Sequence, residues 1–265
     1  MATLDFYQQC GEELEKRVRL KTYPLAIKFL EKPEDIPAGA ERPLRDLGSH
    51  LSACQSYQLS RREGKTIASL LEDNWCFEPV VGYGLAKPPQ YFLEGNNRFP
   101  EDVSSLEAGS HYAQEFPILP AGKYVGVVSA PLRTAGFEPD LVMIYCDVAQ
   151  LSLLLLGREC KDGRALTCLL SSHASCVFAL VPAMLSGECH VGLPCRGDHY
   201  KAIAADDEII FTIPRRRLED VMVGLAYTSR RGSRLPRGYS FEKEYPLKGS
   251  YEKIAHMIGY LGKSR

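Results

Sequence analysis

Apolar residues follow two spacings along the chain. Near the start, Phe6, Cys10, Leu14 and Val18 recur every fourth residue with Glu and Lys between them, the stripe of an amphipathic helix. Elsewhere they form short apolar runs bounded by turn formers, which read as strands over residues 24–30, 66–71, 123–130, 139–146, 164–170 and 208–213. Ser49 can cap a helix that starts near His50 and stops at Gly64, and Asp147 can cap one running through Gln150 to residue 156. Further helices are expected over residues 101–115, from Cys176 to about residue 181, over residues 215–227 behind Pro214, and near residues 251–261. The last but one turns Leu218, Val221, Met222 and Leu225 inward. Residues 32–43 carry three prolines and read as a surface loop.

Strand 139–146, the acidic cap, the helix and strand 164–170 together suggest a βαβ unit. Its right-handed crossover would bring Cys146 and Asp147 to the ligand-prone carboxyl edge of a sheet. The class expected is therefore α/β or α+β, a mixed sheet with flanking helices and one βαβ unit. Residues 1–265 are expected to form a single domain, with an inserted lobe near residues 88–120.

Composition narrows the function without choosing one. At 45% hydrophobic and 25% charged residues the chain can build an ordinary globular core. A net charge of -1 gives no global pull toward nucleic acid or a membrane surface. The most apolar run, residues 151–156, is far short of the roughly 20 residues a spanning helix needs, so no membrane partner is expected. The first ten residues lack a basic start followed by an apolar stretch, which leads to the expectation of a reducing cytoplasm. Gly82 and Gly84 lack the third glycine of a dinucleotide-binding turn.

The densest chemistry lies in residues 187–199, where Cys189, Cys195, His190, His199, Glu188 and Asp198 sit among glycines. Two cysteines cannot complete a thiolate site, so others must join them. Nine cysteines is an odd number in a chain too long to be a disulfide-stapled miniprotein, and no CxxC pair occurs. Cys54 and Cys176 fall near expected helix starts, Cys76 follows a strand in a polar turn with the only tryptophan, and Cys195 lies in a Gly/Pro turn. These four are loop-proximal and can be brought to one point as metal and cofactor ligands of an iron–sulfur cluster, the 4Fe–4S form needing four thiolates. Zinc is the competing cofactor, with His190 or His199 replacing a cysteine. The plainer alternative makes them buried, reduced thiols that pack as small hydrophobes, as is expected for Cys10, Cys146, Cys160 and Cys168. Cys189 stays open as a spare ligand or a redox-labile neighbour.

A cysteine nucleophile, Cys195 with His173 or His199 as base and Asp198 as orienter, has no supporting local signature. From residue 215 onward twelve Lys and Arg face five Asp and Glu, a local excess that could hold an anionic small molecule or an acidic partner, or simply be a solvated face. Tyr227 and Tyr239 are too few aromatics for a nucleic-acid reader.

Several stretches together resemble the family called domain of unknown function 169, an archaeal conserved region also found in anaerobic bacteria. They are residues 24–29, Cys54-Gln55, Glu72-Asp73 with Cys76, the strand from Pro139 leading to Gln150, Cys176, and residues 194–198 before the strand at Asp207. The resemblance covers nearly the whole chain. It implies that Cys54, Cys76, Cys176 and Cys195 recur, which ranks this quartet above Cys189, and it implies an anaerobic setting in which exposed iron–sulfur chemistry survives. It supplies no reaction. His199 stands where the resemblance leads one to expect arginine. The reading that follows is an iron–sulfur redox or sensor protein with a redox partner protein. The alternatives are an anionic-ligand protein working near Asp147 and the basic segment, or a structural zinc protein.

Overall fold

The computed structural model describes residues 3–233, 235 and 249–259. The chain forms two units, residues 1–235 and 236–265. In order, the first unit contains α1 (Leu4–Val18), β1 (Leu25–Leu30), α2 (Pro43–Asp46), α3 (Ala53–Glu63), β2 (Ile67–Leu70), α4 (Phe77–Gly82), α5 (Gln90–Leu93) and α6 (Leu106–Glu115). It continues through β3 (Gly126–Pro131), β4 (Leu141–Cys146), α7 (Val148–Glu159), α8 (Ser175–Ser186), β5 (His190–Gly192), α9 (Arg196–Ala202), β6 (Ile209–Pro214) and α10 (Arg215–Arg230). The second unit contributes α11 (Gly249–Ile258).

The six strands lie in the order β2-β3-β1-β4-β6-β5, and every neighbouring pair is antiparallel. Side chains alternate between two buried faces. Along β4, Val142, Ile144 and Cys146 enter one core while Leu141, Met143 and Tyr145 enter the other. The first core is closed by α1, α7 and α10, and the second by α3, α4, α6 and α8. Because both faces are dry, the central strands read as continuous apolar runs, and each fully buried Leu, Ile or Val contributes about 1.5–3 kcal/mol. Helices α7 and α10 approach so closely that a β-carbon on Gly224 would stand 1.9 Å from the carbonyl oxygen of Gly157.

The α+β class with helices flanking a sheet is as expected, but the βαβ crossover is not present. Residues 164–170 form no strand, and β4 pairs antiparallel with β1 and β6. That stretch has strand-like composition because it covers an edge. The Cys168 thiol accepts a hydrogen bond from the Val191 backbone N–H at 3.2 Å, and Leu169 O lies 3.0 Å from His190 Nε2, both on edge strand β5. Residues 88–120 hold α5 and α6 and bury Phe92, Phe116 and Leu119 in the second core. The helix expected from Glu101 starts at Leu106 behind the Ser105 cap.

Helix α3 is held from below. The Arg61 guanidinium donates to both carboxylate oxygens of Glu208, at 2.8 and 3.1 Å, with both side chains almost fully buried, and it stacks 4.0 Å over the Tyr145 ring. Glu208 also accepts from the Ala205 N–H, so the pair ties α3 to the turn before β6. Removing one partner leaves the other charge buried and unpaired, so Glu208→Ala is expected to lower unfolding stability by about 3–5 kcal/mol. Arg61→Met combined with Glu208→Leu is expected to recover most of that loss in urea denaturation.

Candidate functional site

Four short segments meet at one cavity. At the first, Ser52 caps α3: its hydroxyl accepts from the Gln55 N–H at 3.3 Å while Gln55 Oε1 accepts from the Ser52 N–H at 3.0 Å. The cap is therefore three residues later than Ser49, and Cys54 becomes the second residue of the helix, its sulfur 3.0 Å from Ser52 Oγ. At the second, fully buried Asp73 accepts from the backbone N–H groups of Leu70 and Leu44 and from Arg42. This fixes the turn that presents Cys76 just before α4.

The third segment is the start of α8. Ala174 adopts a left-handed conformation (φ 49°), which costs a non-glycine residue about 1–2 kcal/mol and turns the chain sharply into Ser175 and Cys176. The Tyr83 hydroxyl donates to the Cys176 carbonyl at 3.1 Å and pairs with the Tyr57 hydroxyl at 2.7 Å, which pins this start to α3 and α4. At the fourth, Cys195 immediately precedes α9, and its sulfur lies 3.2 Å from Ser175 Oγ. Ser175 donates to the buried Asp198 carboxylate, whose other oxygen accepts from the Tyr145 hydroxyl at 2.9 Å.

Cys54, Cys76, Cys176 and Cys195 all line this cavity of about 630 Å³, together with Trp75, Glu78, Arg98 and His173. Burial pushes the thiols of Cys54 and Cys176 well up and that of Cys76 to about 12; the next contributions are Asp198 beside Cys54, Glu78 beside Cys76, and Cys76 beside Cys176. The ends of α3 and α8 favour a thiolate, but here desolvation outweighs them. Burial, then Arg98, holds the His173 imidazole below its ordinary value. Burial also raises Asp198, against the hydrogen bonds from Ser175 and Tyr145.

Other candidates lie elsewhere. Cys189, Cys10 and Cys146 are packed in the opposite core, and Cys160 is exposed. His190 and His199 spend a ring nitrogen on Leu169 O and Ala204 O, and neither lines the cavity. Asp147 caps α7 away from the cavity. His173 lines the cavity edge-on to Tyr112, and the polar neighbour of the Cys195 sulfur is Ser175 Oγ rather than a histidine. In the basic stretch, Arg215 pairs with Glu138 while Arg216 and Arg217 pair with Glu188. Arg234, Arg237, Lys243, Lys248, Lys263 and Arg265 lie outside the described residues. Among the described residues, no three His, Cys, Asp or Glu side chains are gathered closely enough to hold a single metal ion, and no helix is long and apolar enough to cross a membrane.

The family model DUF169, described as uncharacterised ArCR, matches residues 13–224. The chain belongs to the DUF169 family. All four cavity cysteines fall inside the DUF169 region, and α11 falls outside it. No curated protein and no solved structure matches the chain.

The raised thiols give a pH dependence of known sign. Their folded values lie above the roughly 8.5 of an unfolded cysteine, so their contribution to stability is complete below that pH and is lost as pH climbs toward about 12 for Cys76. Metal-free protein is expected to show a lower urea midpoint at pH 10 than at pH 7.5. The drop should be smaller when all four cysteines are serine; equal drops would contradict the burial of the thiols.

Proposed function

We propose that this DUF169 protein holds an iron–sulfur cluster on Cys54, Cys76, Cys176 and Cys195 and works as a redox or sensor protein. The observation that carries the proposal is the meeting of four thiols, from four segments scattered along the chain, at one cavity. An all-thiol donor set suits iron–sulfur chemistry, and four thiolates complete the 4Fe–4S form. Zinc, the competing reading, needs four ligands drawn around one ion, and among the described residues no such group is gathered.

The residues fit such a group in a second way. Gly197 lies inside α9 with ordinary helical backbone, so nothing in its conformation demands glycine. A β-carbon there would stand 3.4 Å from Cys195 Sγ and 3.9 Å from Cys54 Sγ, in the space beside the two sulfurs. A bound cluster would supply one-electron chemistry. Around it, the Ser52 hydroxyl, 3.0 Å from the sulfur of Cys54, can donate to a thiolate, and the ends of α3 and α8 offset part of the negative charge of the sulfurs. Nine free cysteines are in keeping with a reducing compartment such as the cytoplasm. An electron-exchanging redox partner protein is part of the proposal.

Protein purified without oxygen is expected to be brown and to contain iron and acid-labile sulfide. Each single Cys→Ser change at 54, 76, 176 or 195 should remove at least half of the iron, while Cys189→Ser should not. Zinc in place of iron, or full iron content in all four variants, would overturn the proposal.

Gly197→Ala separates cofactor space from folding. Replacing a helical glycine is expected to leave metal-free stability equal or raise it by up to about 1 kcal/mol. The same change should lower iron content. Undiminished iron in a stable Gly197→Ala protein would show that the space beside the two sulfurs is not used.

A further inference from the structure

We propose that the mouth of the thiol cavity is a binding site for a flat, anionic small molecule, whose ring lies against Trp75 and whose anionic group is met by Lys201 and Arg196. The site shares the cavity with the thiols but rests on different residues, and it does not require the cluster. Trp75 is half exposed, and its indole N–H donates to Gln55 Oε1 at 3.0 Å. Gln55 is itself fixed by its capping bond to Ser52, so an exposed aromatic face is held in one orientation at the cavity wall. A large apolar ring kept rigid and open to solvent gains nothing for the fold, but it is a ready platform for a planar partner.

The cations beside it stand over aromatic rings and, among the described residues, carry no ion pair. Lys201 Nζ lies 5.7 Å from the Trp75 ring, and the Arg196 guanidinium 5.6 Å from the ring of Tyr200, which is also exposed at the mouth. Among the described residues neither cation has a carboxylate within ion-pair distance. The neighbouring buried or half-buried arginines do: Arg42 pairs with Asp73, Arg61 with Glu208, and Arg98 with Glu78 and Asp102. Deeper in the wall, Arg98 is 6% exposed, and its Nε–H lacks a hydrogen-bond partner. A lysine and an arginine without ion pairs among the described residues, flanking the fixed Trp75 ring and the exposed Tyr200 ring, make a site for an anion carried on a ring.

The cavity of about 630 Å³ falls in the roughly 300–1,000 Å³ range of small-molecule sites, and the ligand takes only the part at its mouth beside Trp75, Arg196 and Lys201, leaving the thiol end to the cluster. Concavity also favours a small molecule over the surface of an acidic protein, which could reach Lys201 but not the Arg98 wall. The shared chemistry is a planar ring bearing a carboxylate or a phosphate, and the two sources are told apart by the probes.

Trp75 is the only tryptophan, so its fluorescence reports on this site alone. The full-length protein, both as purified without oxygen and after chelation of metal, is titrated with adenosine monophosphate, benzoate, adenosine and inorganic phosphate. The expected result is saturable quenching by adenosine monophosphate or benzoate in both forms, at least tenfold weaker binding of adenosine and of phosphate alone, and at least a tenfold loss in R196Q/K201Q. Both substituted side chains are solvent-exposed, and an unchanged thermal melt checks that the double variant is folded. Absence of saturable quenching by either ring-bearing anion, unchanged affinity in R196Q/K201Q, or phosphate binding as tightly as adenosine monophosphate would each overturn the proposal. Iron content is read independently, so a failure here leaves the cluster reading standing, and the reverse.

Discussion

Both faces of the six-stranded sheet must be kept dry, and the rest of the molecule follows from that requirement. An antiparallel sheet whose central strands are apolar on each side cannot leave either face to water, so helices are needed on both. Those on the second face do more than cover it. Helices α3 and α8 each place a cysteine second in the helix and α4 has one just before its first turn, so three elements that close the core also build the cavity wall, with α9 adding the fourth cysteine from outside that core. The buried Arg61–Glu208 pair beside Tyr145 joins the C-terminal end of α3 to the turn before β6 and so anchors that helix against the sheet.

Two electrostatic effects oppose each other at the thiols. Helix ends stabilise negative charge, while desolvation resists it, and resistance wins at Cys54, Cys76 and Cys176. Four thiolates facing one another in such a place would also repel. The arrangement is therefore comfortable either as neutral thiols or with positive charge supplied between the sulfurs. The Ser52 hydroxyl beside Cys54 serves both conditions, since a hydroxyl can accept from a thiol or donate to a thiolate, while Ser175, donating to Asp198, can accept from the Cys195 thiol.

Local signals in the sequence were readable where local chemistry decides. The stripe of α1, the Asp147 cap of α7, the Gly64 stop of α3 and the nearness of Cys54 and Cys176 to helix starts are all found in the fold. Register and pairing were not readable. Residues 164–170 have strand composition but meet β5 through a thiol and a carbonyl, and without a parallel crossover Asp147 has no carboxyl edge to stand on. Cys189 and Cys195 are six positions apart yet separated by the sheet, because β5 runs between them. Trp75 was visible as the only tryptophan, but the roles of Arg98, Gly197 and Lys201 at the cavity had no local mark, since their neighbours there come from distant parts of the chain.

The wide spacing of the four cysteine-bearing turns also bears on assembly order. Cys54 and Cys76 emerge from the ribosome long before Cys176 and Cys195, and although a capping box and the Asp73 turn shape each early segment locally, the cavity they face is closed only when the later segments have packed over β4 and β6. Anything gripped by all four sulfurs must therefore be acquired by a nearly finished domain rather than by a nascent chain. Once seated, it would cross-link both halves of that domain and raise the barrier to opening, so the lifetime of the molecule would track the supply of what fills it.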